Sequence, residues 1–201
     1  TLGISVEGEK GIYDIVKGNK TFEESVKYIE KYNLYLLVCS SAVADPSETL
    51  ASDAMAKIVE DARRNFDYVI IDCPPSLGLI TINSLTASDT VLVPIQCEYF
   101  ALEGLSQLMS TIRQVKRLYN PHIELEGVLQ TMYDGRLNLT QQVVTEIKKF
   151  FPNKVYKTTI PRNVRLSEAP SFGEPIMYYD KHSKGALAYD AFADEFLSQQ
   201  K

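Results

Sequence analysis

An alternation along the chain limits its fold more than any other feature. Five short apolar runs, YLLVC (35–39), YVIID (68–72), TVLVPI (90–95), IELEGVLQTM (123–132) and KVYKTTI (154–160), are separated by helix-like segments. Those segments are ETLASDAMAKIVEDARR (48–64), SLGLITINSLTAS (76–88), FALEGLSQLMSTIRQVKRLY (100–119), NLTQQVVTEIKKFF (138–151) and SKGALAYDAFADEFLSQ (183–199). Strands joined through helices need crossover connections, and crossovers give a mostly parallel sheet. YVII and TVLV are uniformly apolar and rich in β-branched residues, as expected of strands covered on both faces. Ser47 after Pro46 is the expected N-cap of the first long helix, and Pro152 stops the fourth. The chain therefore reads as an α/β domain with a mostly parallel sheet, and 201 residues suit a single domain spanning 1–201.

Ligands of such sheets bind beyond the carboxyl ends of the strands. That rule singles out FDYVIIDCPPSLG (66–78), where a buried run ends in Asp72 and then Cys73-Pro74-Pro75. A carboxylate at that edge can hold a hydrated Mg²⁺, a hard cation suited to carboxylate and water oxygens. The two prolines force the backbone out of the strand, because the residue before a proline avoids the helical region. This is the Walker B pattern of a nucleotide hydrolase. The alternative is that Asp72 only polarises a strand-to-turn junction.

Charge and cysteine usage narrow the classes. Cys39, Cys73 and Cys97 lie far apart with no CxxC pair, which argues against a zinc site or a disulfide framework and for small buried residues in a reducing cytoplasm. Net charge is −5, but Arg136, Lys148, Lys149, Lys154, Lys157, Arg162 and Arg165 stand against Glu146 alone between positions 136 and 165. That window carries +6 and leaves −11 for the remainder, a docking pattern for a polyanion unless it is merely a solvated face. Glu98 and Glu103 flank a helix start and suit its dipole. His122 and His182 have no partner at catalytic or metal spacing and are expected on the surface; Ser40, Ser41 and Ser76 lack a His/Asp context for a serine hydrolase.

The stretches FDYVIIDCPPSLGLITINSLTASDTVLVPIQCEYFALEGLSQL, EGVLQTMYDGRLNL and VYKTTIPRNVRLSEAPSFGEPIMYYD resemble ParA/Soj-type chromosome and plasmid partitioning ATPases. The resemblance runs in order from about Gly3 to the C-terminus, and IPRNVRLSEAPS is its most specific part. It implies a P-loop NTPase-like three-layer fold and a deviant Walker A ATPase that binds ATP and Mg²⁺. It also implies a homodimer formed with ATP, non-specific DNA binding and stimulation by a ParB-like centromere-binding protein. The implied location is cytoplasmic and nucleoid-associated, with no membrane role. Asp72 takes the Walker B position toward Mg²⁺ and water. Thr131, Pro161 and Asn163 match positions near the nucleotide base, and Arg136 and Arg165 match arginines that the family uses on DNA.

The family's KGGVGKTT-type loop is absent from these residues. Lys17-Gly18-Asn19-Lys20-Thr21 lacks the Gly-Lys pair and an apolar strand leading into it, and reads as a polar turn. The expectation is thus the C-terminal three-quarters of a ParA-type domain, without the P-loop strand and the strand after it. Its ATPase activity belongs to the intact parent, and an exposed strand edge is expected beside 68–72. Alternatives are a MinD-like positioning ATPase, a bacterial tyrosine kinase and a non-enzymatic fragment that binds DNA or partners. The tail DAFADEFLSQQK opposes Asp190, Asp194 and Glu195 to Lys201, the wrong sign for anionic lipid, and carries no tyrosine cluster.

Overall fold

The computed structural model describes residues 4, 11–39, 54–74, 76–98 and 100–200. They fall into two compact units, one of Ser5–Asp89 with Ser110–Ile123, the other of Thr90–Met109 with Glu124–Lys201 and residues 1–4.

The first unit opens with two short helices, α1 (Ile12–Val16) and α2 (Phe22–Ser25). Lys17 to Lys20 between them form the polar turn read from the sequence, with Gly18 at φ 72°. Thr21 begins α2 with a reciprocal cap: its hydroxyl accepts from Glu24 N–H, and the Glu24 carboxylate accepts from Thr21 N–H. A short antiparallel pair follows, β1 (Lys27–Ile29) and β2 (Leu34–Leu36); β2 overlaps the expected strand 35–39, whereas β1 and the antiparallel pairing had no sequence signal. Helices α3 (Ala54–Arg63) and α4 (Leu79–Ala87) follow. Ser47, the expected cap of α3, and the residues from 40 to 53 lie outside the described residues. Phe22, Ile58 and Ala62 form one core with Ile12, Ile15, Val16, Val26, Leu37 and Phe66 packed against it. Met55, Val59 and Ala87 form a second.

Residues 68–74 belong to no strand or helix, contrary to the expectation for YVIID. A strand exists only when a neighbour satisfies its backbone, and the two described strands of this unit pair with each other. Tyr68, Val69 and Ile70 are consequently 50%, 41% and 91% exposed.

The second unit holds a parallel sheet of β3 (Thr90–Gln96), β4 (Glu124–Tyr133) and β5 (Val155–Pro161), in that spatial order. Helix α5 (Ala101–Leu118) follows β3, with its residues from Ser110 onward counted in the first unit; α6 (Asn138–Phe150) crosses from β4 to β5. Val93, Ile95, Leu105, Val128, Val143 and Ile147 form the core on one face of the sheet. Val128 and Ile147 are fully buried, a burial worth about 1.5–3 kcal/mol for each side chain. On the other face Leu129, Tyr156 and Ile160 pack against Ala188, Phe192 and Phe196 of the last helix, α9 (Lys184–Gln199). Those three positions recur every fourth residue and so share one helix face. Ser183 caps α9 by accepting from Ala186 N–H at 3.1 Å. Two short helices, α7 (Val164–Glu168) and α8 (Ile176–Tyr179), lie between β5 and α9.

β3 is buried on one face only: Val93 and Ile95 point into the core while Leu92 is 38% exposed. The expectation of two covered faces fails here, because the apolar side chains of α9 reach β4 and β5 and none from β3 joins that cluster. The cysteine expectation needs the same correction. Cys97 is buried, and burial pushes its thiol up, but Cys39 and Cys73 are exposed.

Candidate functional site

The carboxyl rim of the three-stranded sheet gathers most of the residues singled out from the sequence. Parallel pairing fixes this. Gln96 stands opposite Thr131, and Tyr133 opposite Pro161, so the ends of all three strands come together. Thr131 ties β4 to β3: its hydroxyl donates to the Ile95 carbonyl at 3.1 Å, and its carbonyl accepts from Cys97 N–H at 3.2 Å. Pro161 ends β5. Arg162 N–H then reaches back to the Tyr133 carbonyl at 3.4 Å. Asn163 caps α7, its Oδ1 accepting from Arg165 N–H at 2.8 Å. Its Nδ2 remains available to a ligand among the described residues.

One feature of this rim has no sequence signal. Met132 sits at φ 52°, a left-handed conformation that costs a non-glycine residue roughly 1–2 kcal/mol. It coincides with the register shift between Gln130 and Tyr133, so the end of β4 bends where the loop to α6 begins. Strain of this kind gathers at functional sites. The loop is braced by Gln141, whose Nε2 donates to the Tyr133 hydroxyl at 3.2 Å and the Gly135 carbonyl at 3.3 Å.

The arginines of the rim are ion-paired. Arg136 lays its fork on Asp134, with Nε to Oδ1 at 2.8 Å and Nη2 to Oδ2 at 2.6 Å, while its side chain stays 88% exposed. The guanidinium, together with the Arg136 N–H at 3.1 Å, holds the Asp134 carboxyl down to about 2. Arg162 meets Glu98 at 3.1 Å. Arg165 meets Glu168 at 2.9 Å and Asp180 at 3.4 Å. Glu98 therefore does more than suit a helix dipole: it reaches a cation 64 positions away. Counting charge between 136 and 165 missed Asp134, Glu168, Asp180 and Glu98, which lie outside that window and pair with its arginines.

Asp72 belongs to the other unit. Its side chain is exposed on the irregular segment 68–74. No group of three or more His, Cys, Asp or Glu among the described residues could hold a metal ion. A single exposed carboxylate suits a Mg²⁺ carried mainly by water and nucleotide phosphates, and does not suit an ion caged by protein. His122 and His182 are both on the surface, as expected. No described helix is long and apolar enough to cross a membrane.

A parallel sheet with helical crossovers and a polar carboxyl rim defines an open α/β protein of the kind that binds ligands at its strand ends. The same fold appears in cobyrinic acid a,c-diamide synthase from Mycobacterium smegmatis, at TM-score 0.81 and 30% identity over 100% of this chain and 77% of that one. It also appears in the cell division ATPase MinD of Pyrococcus furiosus, at TM-score 0.77 and 19% identity over 98% of this chain and 79% of that one. Residues 1–125 match the family described as AAA domain. The sporulation initiation inhibitor protein Soj of Bacillus subtilis (strain 168) is 47% identical over 97% of this chain and 80% of its own length. The chromosome partitioning protein ParA of Myxococcus xanthus (strain DK1622) is 43% identical over 98% of this chain and 72% of its own. The chain belongs to the ParA/Soj family of partitioning ATPases.

Proposed function

We propose that the intact protein serves chromosome or plasmid partitioning as a nucleotide-dependent DNA-binding ATPase that pairs with itself when ATP is bound. The reading rests on the rim where Thr131, Pro161 and Asn163 share the ends of adjacent parallel strands and their following turn. A proline turn offers backbone carbonyls to an exocyclic amine, and the Asn163 amide offers a donor. Asp72 supplies the carboxylate for Mg²⁺. When bound, Mg²⁺ would offset phosphate charge; Thr131, Pro161 and Asn163 would hold the base, and Asp72 would hold water of the ion's shell. A related structure of the cobyrinic acid a,c-diamide synthase, 30% identical, holds ADP and magnesium, which supports the same ligand chemistry here.

Arg136 and Arg165 are assigned to DNA phosphates. Such contacts need no base recognition and weaken steeply with salt. The partner of the cycle is a ParB-like centromere-binding protein, and the place of action is the nucleoid in the cytoplasm. The test is Mg-ATP turnover and DNA gel shift on the full-length protein. Asp72→Asn should abolish Mg-dependent turnover, and Arg165→Ala should weaken binding to unrelated DNA sequences alike. Turnover and DNA affinity that survive both changes would exclude these assignments.

A further inference from the structure

We propose that Asp134 is an internal competitor for the arginine fork of this rim, and that it sets how tightly the rim holds the phosphate backbone of DNA. The proposal deepens the DNA reading above and rests on it.

The geometry is that of one fork and two possible acceptors. Arg136 gives Nε and Nη2 to the two oxygens of Asp134. This two-point grip is the way a guanidinium also takes a phosphate, so the same donors cannot fully serve both. Arg136 is 88% exposed, which leaves it open to an incoming polyanion, whereas Asp134 is only 22% exposed and is fixed by the Arg136 N–H as well. The carboxylate stays ionised through the neutral range, because Arg136 and then Arg162 hold it low. Protonation does not open this lock near neutrality; only a stronger or denser anion does.

Asp134 is not alone at the rim. Glu98 holds Arg162, and Glu168 with Asp180 holds Arg165; the Tyr179 hydroxyl donates to Glu168 at 3.1 Å and steadies it. Asp134 is nevertheless the cleanest lever, being the partner with both oxygens on one exposed guanidinium. With the lock closed, Arg136 contributes little net charge, and few counterions are released when DNA arrives. With it removed, Arg136 acts as a full phosphate contact.

The experiment is a DNA titration by fluorescence anisotropy with the full-length protein, Mg-ATP and two unrelated duplexes, over about 50–200 mM salt. Asp134→Asn keeps an oxygen for the Arg136 N–H and removes the charge. It should tighten binding about fivefold at the lowest salt, near the upper end for an exposed ion pair. The slope of log K against log salt should steepen by about one, the release expected for one more phosphate contact. Asp134→Ser, which also keeps one oxygen, should act in the same direction. In an Arg136→Ala background Asp134→Asn should lose most of its effect. Unchanged affinity and slope in Asp134→Asn, with Arg136→Ala still weakening binding, would overturn the competitor role and leave the DNA reading standing. No effect from either Arg136→Ala or Arg165→Ala would remove the DNA reading, and this proposal with it.

Discussion

Glu195 of α9 accepts from two consecutive backbone N–H groups, Lys157 and Thr158, each at 2.8 Å. In a regular strand consecutive N–H groups point to opposite sides, so one carboxylate cannot take both. It can here because β5 is irregular: the register passes from Val128↔Val155 to Gln130↔Thr159, four residues against two. The extra length swings both donors out of the ladder, and Glu195 satisfies them. Glu195→Gln leaves one acceptor oxygen where two were used. A hydrogen bond to a charged group contributes about 1.5–3 kcal/mol, and water at this half-buried edge recovers part of one bond, so the net cost is about 1–2 kcal/mol. For a chain of this size that is about 2–8 °C of melting temperature. Burial alone would raise the Glu195 carboxyl, but the N–H bonds from Lys157 and Thr158 outweigh it and hold it below the usual range. A lowered folded-state pKa gives stability that is present above the ordinary carboxylate value and is lost as pH falls through the folded one. Urea unfolding of wild type and Glu195→Gln should therefore differ at pH 7 and converge in acid below the carboxylate range. Equal midpoints at pH 7, or a gap unchanged in acid, would refute the clamp.

Two further substitutions probe packing and capping. A Cβ at Gly127 would lie 2.4 Å from Cε2 of Tyr156, a ring that is itself buried against Phe192, so Gly127→Ala should destabilise by about 1–3 kcal/mol in chemical denaturation. Adding Tyr156→Leu to that variant should recover part of the loss. Asn120 donates through Nδ2 to the Leu85 and Ser88 carbonyls, at 3.2 and 2.8 Å, and so closes the end of α4. Asn120→Ala should cost about 1–2 kcal/mol by the same assay, whereas no change would mean that water replaces it freely.

The sequence by itself determined the order of the main strands and helices from α4 onward, because hydrophobic period is a local property of each segment. The strands at 90–95, 123–132 and 154–160 reappear as β3, β4 and β5 with ends shifted by a residue or so. Parallel order fixes which strand ends share a rim, but Thr131 and Pro161 were singled out only through the family resemblance. The run 68–72 reads as a strand just as strongly, yet forms none, because a ladder needs a neighbour and pattern cannot supply one. Only the tertiary structure decided the charge state of the rim. Arg162 finds Glu98 across 64 positions and Arg165 finds Asp180 across 15, distances along the chain at which no charge window reports a pair. The strain at Met132 and the clamp of Glu195 on β5 are of the same kind: they arise where packed elements force a strand out of register, after local preference has already been satisfied.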